Sequence, residues 1–133
     1  MNDTIKQIDD IISWWFNLKK GFTDLNHLDE VHRKLSGHYY YLSEIVSDLY
    51  KDYLLSYVHK KVGLAKREQA LTEKGLSVTL AKSTAPMHEE QILMEEAQAE
   101  GEYNALKLKL NAVSKVLEAI RQRISNLKTE LNK

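Results

Sequence analysis

The side chains best placed to do chemistry are six cations, Lys60, Lys61, Lys66, Arg67, Lys74 and Lys82, with only Glu68 and Glu73 interspersed. A basic run of this kind can track a phosphate backbone by displacing condensed counterions. Tyr53 and Tyr57 stand one to two helical turns upstream, where bases could stack. The competing assignment for the same residues is a solvated helix face that pairs with the acidic residues between 89 and 102. Composition weighs the two about equally. The cluster Tyr39-Tyr40-Tyr41 reads as helix-packing surface in preference to a base platform.

Enzyme chemistry has little support. His27, His32, His38, His59 and His88 show no i, i+4 pair and no HExxH, and the chain has no cysteine, so neither a zinc site nor a disulfide framework is expected. His88 with Glu89, Glu90, Glu95 and Glu96 lacks the Glu-x-x-His spacing of helical di-metal sites and reads as a helix start. No GxSxG, P-loop or GxGxxG occurs. The sequence therefore predicts a non-enzymatic protein without metal or cofactor.

The elements that must carry the basic run are helices. Tyr103, Leu106, Leu110, Val113, Leu117, Ile120, Ile124, Leu127 and Leu131 recur at alternating steps of three and four, the a/d seam of a coiled coil used for helix packing and oligomerisation. Pro86 suits the first turn of that helix, placing it at residues 86–131. A second long helix over residues 38–74, basic toward its end, is the natural partner in an antiparallel hairpin; Gly63 inside it costs about 1 kcal/mol relative to alanine. Residues 75–85 form the connector, with Ser77 placed to cap a brief helix. Residues 1–37 hold one or two short helices. The first is capped by Asp3, carries Ile5, Ile8, Ile12 and Trp15 on one face, and stops near Lys19-Lys20-Gly21. The second runs from Asp24 to Leu35, ahead of Gly37. The fold class is all-α, as a single helical domain over residues 1–133.

Net charge is zero, with 19 basic and 19 acidic residues, which excludes a uniformly basic nucleic-acid-binding protein. Charge is nevertheless segregated, since residues 83–102 hold six acids and no lysine or arginine. Trp14-Trp15-Phe16 followed by Lys19-Lys20 could anchor at a membrane surface, but Asp9 and Asp10 on the polar face favour a core-covering helix. No signal peptide and no apolar run of about 18 residues is visible, so a cytoplasmic protein without membrane association is expected.

Two local patterns resemble the recombination mediators of T-even-type phages, the UvsY type. Lys60-Lys61-Val62 with Leu64 and Arg67 is similar to the basic helical segment that such mediators use on single-stranded DNA. Leu117-x-Ala119-Ile120-x-x-Arg123 is similar to their helical assembly region. The tryptophan-rich first helix and the acidic residues 89–102 have no counterpart in that pattern. The resemblance implies a phage-encoded accessory protein of DNA recombination. It would form a homo-oligomeric ring, bind single-stranded DNA through Lys60, Lys61, Lys66, Arg67, Lys74 and Lys82, and help a recombinase displace single-strand-binding protein in the bacterial host cytoplasm. A helical protein-binding module, acting as inhibitor or scaffold on another protein such as a nuclease, is the alternative.

Overall fold

The computed structural model describes residues 2–132 and contains four helices and, among the described residues, no strand: α1 Asn2–Phe16, α2 Leu25–Glu73, α3 Val78–His88 and α4 Glu90–Leu131. The all-α class follows from the repeated three/four apolar spacing. The chain divides into two compact units, one of residues 1–45 with 106–133 and the other of residues 46–105.

In the first unit, α1, the start of α2 and the end of α4 enclose a core of Ile8, Leu28, Val31, Leu35, Leu42, Val113, Val116, Ile120, Ile124 and Leu127. Two expectations change here. Gly37 does not end a helix: α2 runs unbroken through it, because Leu35 and Leu42 on either side are both fully buried and hold the register. Packing overrides the roughly 1 kcal/mol propensity cost of one glycine. The buried stripe on α4 also departs from a strict a/d seam. Val116 is buried beside Val113 and Ile120, Leu117 is only half-buried, and Leu131 is 72% exposed. An a/d seam is one helix wide, whereas α4 meets both α1 and α2 here, which needs a broader apolar stripe.

α1 stops at Phe16, ahead of the lysines expected to close it, and residues 17–24 turn the chain into α2. Asp24 starts α2 by accepting the His27 N–H at 3.1 Å. Arg123 holds the turn from outside, donating from Nη2 to the Lys20 carbonyl at 2.8 Å and the Phe22 carbonyl at 2.9 Å. Trp14, Phe22 and His27 pack edge-to-face, with centroids 5.1 to 5.9 Å apart. Trp14 packs within this turn and Trp15 is half-buried, whereas Phe16 is 74% exposed. Arg123→Ala should lower the unfolding free energy by about 1–3 kcal/mol, since two carbonyls lose a charged donor. Urea denaturation checks this, and Arg123→Lys, which cannot reproduce the planar fork, should recover only part of the loss.

In the second unit, Gly75 takes φ +104° and closes α2 in a Schellman motif: Leu76 N–H donates to Leu71 O and Gly75 N–H to Thr72 O, while Leu76 packs on Leu71. Ser77 caps α3 by accepting the Leu80 N–H at 3.2 Å, as its position in the sequence suggests. Pro86 does not open the final helix; it sits in the last turn of α3, and α4 begins at Glu90. Ala81 and Ala85, at 1% and 0% exposure, are buried in one cluster with Leu71, Leu64 and Leu76, so packing carries α3 one turn beyond where the proline was expected to start a new helix.

Candidate interaction faces

The second unit carries Lys60, Lys61, Lys66 and Arg67 on α2, opposite the acidic residues 89–102, with Lys74 just beyond the end of α2 and Lys82 on α3. Three α2 side chains one heptad apart, Tyr53, Lys60 and Arg67, meet Tyr103 and Glu96 of α4 and Glu89, the residue that joins α3 to α4, spaced the same way in the reverse direction. Tyr53 stacks on Tyr103 with centroids 6.0 Å apart and planes 11° from parallel. Lys60 Nζ lies 3.6 Å from Glu96 Oε1. Arg67 donates from Nε to Glu89 Oε1 at 2.8 Å. An aromatic pair and two ion pairs therefore form one antiparallel zipper.

Burial makes the zipper more than a surface ornament. Glu96 is 9% exposed and the Lys60 side chain 22%. Lys60 and Lys61 ammoniums each lie 5.0 Å from the Tyr57 ring centroid, so Tyr57 serves as a cation platform. Tyr50 leans on Tyr103 at 5.1 Å. Burial pushes the Tyr53 phenol above its ordinary value, and the Glu100 and Glu96 carboxylates add to the shift. A raised phenol favours the neutral ring in the fold, so this contribution is intact below pH about 10 and is lost as pH climbs through the raised value. Gly63 also has a reason to be here, because a Cβ built on it would lie 2.7 Å from Ile92 Cδ1. Glycine permits the close approach of the two helices.

The six cations proposed for phosphate contact thus divide. Lys60 and Arg67 are engaged by glutamates, while Lys61, Lys66, Lys74 and Lys82 are exposed. The tyrosines that might have stacked bases are turned to internal partners: Tyr53 to Tyr103, and Tyr57 to the two lysines. Of the nine helix-packing residues, Val113, Ile120, Ile124 and Leu127 are buried. Tyr103, Leu106, Leu110 and Leu117 are half-buried, and Leu131 is exposed.

A feature that sequence reasoning passed over lies on the outer side of α2. Leu54, Leu55, Val58 and Val62 are 42%, 69%, 55% and 45% exposed, and Val58 and Val62 project about 160° around the helix from Lys60. The signal was available in the sequence, but it was masked because a helix apolar on two sides was assigned a single buried face. Among the described residues no cluster of three or more His, Asp or Glu side chains could hold a metal ion, and no helix is long and apolar enough to cross a membrane.

Comparison with known proteins finds no match: no family model, no curated protein and no solved structure aligns significantly with this chain.

Proposed function

We propose that this chain is a non-enzymatic helical interaction module, which acts by presenting a helix face to another protein. The observation that carries this is the disposition of α2 in the second unit. Its inward face spends Lys60 and Arg67 on Glu96 and Glu89, while its outward face presents Leu54, Leu55, Val58 and Val62 to solvent. A row of large apolar side chains along one helix is the pattern of a helix-docking surface. Phosphate binding by the paired cations would first have to break two partly buried ion pairs.

The single-stranded DNA accessory role, assisting recombinase loading, is the second reading, favoured by the exposure of Lys61, Lys66, Lys74 and Lys82. Fluorescence anisotropy of labelled oligo-dT over a salt series separates the two. An interaction module gives no saturable binding at low salt. Binding that weakens with a log–log slope of about −0.7 per phosphate contact, and is lost when those four lysines are changed to glutamate, would establish the DNA reading instead.

A further inference from the structure

We propose that the end of α1 and the turn after it dock on an anionic phospholipid surface, with an acyl segment beside Trp15 and phosphates at Lys19 and Lys20. Two clefts of the first unit meet at Trp15. One, of about 230 Å³, is lined by Ile12, Phe16, Ala112, Val116 and Ala119, with Lys115 as its one charged side chain. It is smaller than the roughly 300–1,000 Å³ of ordinary small-molecule pockets, and a narrow apolar groove suits a linear hydrocarbon chain. The other, of about 380 Å³, is lined by Leu18, Lys19, Lys20 and Arg123 and carries positive charge alone. Arg123 already holds the turn through two carbonyls, which leaves the two lysines to meet a phosphate. Phe16 borders the apolar groove at 74% exposure, and Leu108, one turn before Ala112 on α4, is 70% exposed.

Charge complementarity names the occupant. Residues 11–23 hold no acid, and neither do residues 103–117 of α4. Lys19, Lys20 and Lys115 are exposed, and among the described residues no carboxylate pairs with them. The two acids that argued against membrane contact in the sequence are both accounted for. Asp9, within about 20° of Phe16 around the helix, pairs with Lys109 at 2.5 Å. Asp10 lies about 120° from Phe16 and lines a separate cavity with Arg33 and Lys34. What remains at the end of α1 is an aromatic and aliphatic tip beside lysines, and acyl chains and phosphates are adjacent in the same way at a membrane surface. Apolar insertion and lysine attraction are each weak alone, so binding needs both. The outer α2 face takes no part in this contact.

Sedimentation of the intact chain with vesicles of equal parts phosphatidylcholine and phosphatidylglycerol tests this. The wild type should pellet with these vesicles, pellet little with pure phosphatidylcholine, and be released by salt. Bromine on the acyl chains of the mixed vesicles should quench its tryptophan fluorescence, because Trp15 borders the groove. Lys19→Glu/Lys20→Glu should weaken binding at least about tenfold. Phe16→Ser should weaken it by a similar factor, and because Phe16 is exposed its loss should leave helicity unchanged. Lys51→Glu/Lys128→Glu, the same charge change at exposed positions elsewhere, should bind like the wild type. No pelleting with the mixed vesicles, equal weakening by the two double variants, or wild-type binding by Phe16→Ser would each overturn the proposal. Full release by soluble glycerophosphate would overturn it too, by reducing the site to phosphate binding without a surface. If Lys19→Glu/Lys20→Glu loses helicity, Phe16→Ser and the bromine quenching decide alone, and absence of either effect overturns it.

Discussion

Ile120→Ala should lower the unfolding free energy by about 2–5 kcal/mol, the range for deleting most of a large aliphatic side chain from a closed core. Ile120 is fully buried, beside Val113, Val116 and Ile124, in the first unit. Leu131 belongs to the same three/four series in the sequence, but its side chain is 72% exposed, and Leu131→Ala should change stability by no more than about 0.5 kcal/mol. Urea midpoints for the two variants check the contrast. A strict heptad seam would make both substitutions costly. A broad stripe serving two neighbouring helices makes only the first so. Val116→Ala sharpens the comparison, since it is a seam-flanking position by heptad counting yet only 5% exposed.

Lys60→Glu should be the most damaging single charge change, costing about 2–4 kcal/mol. The new carboxylate would face Glu96 in a site where that group is 9% exposed, and the attraction over the Tyr57 ring would be lost as well. Adding Glu96→Lys should recover a large part of the loss by restoring opposite charges in the same register, a coupling of about 1–3 kcal/mol in a double-mutant cycle. The equivalent change at Lys61, which is exposed, should be nearly silent for stability. Thermal and urea unfolding of the four members of the cycle measure this directly. Absence of coupling would mean that the two groups do not meet.

How far the sequence disclosed these features follows from the range of the forces involved. Helical periodicity is local, so α1, the Ser77 cap and the end of the long helix near residue 74 were legible, as was the hairpin of two long helices; Asp3, expected to cap α1, lies inside its first turn. Gly37 and Pro86 were misplaced because both are punctuation marks whose effect depends on what is buried nearby: Leu35 and Leu42 carry α2 through the glycine, and Ala81 and Ala85 carry α3 past the expected start of α4. Pairing of the basic run with residues 89–102 was one of two open assignments. Choosing between them needed the register of α2 on α4, which a sequence cannot supply without knowing that Gly63 lets Ile92 come close. Arg123 entered the sequence reading only as the end of the Leu117-x-Ala119-Ile120-x-x-Arg123 pattern, because its acceptors are carbonyls about a hundred residues away.

The central claim is that the basic run of α2 is partly spent inside the protein. Amine-specific labelling followed by mass spectrometry tests it most directly, by comparing the modification rate of Lys60 with those of Lys61, Lys66, Lys74 and Lys82 on the folded chain. Lys60, held against Glu96 and 22% exposed, should react several-fold more slowly than the other four, and Glu96→Gln should remove much of that protection. Equal rates at all five lysines in the wild type would contradict the zipper, and would return Lys60 and Arg67 to the surface available for phosphate.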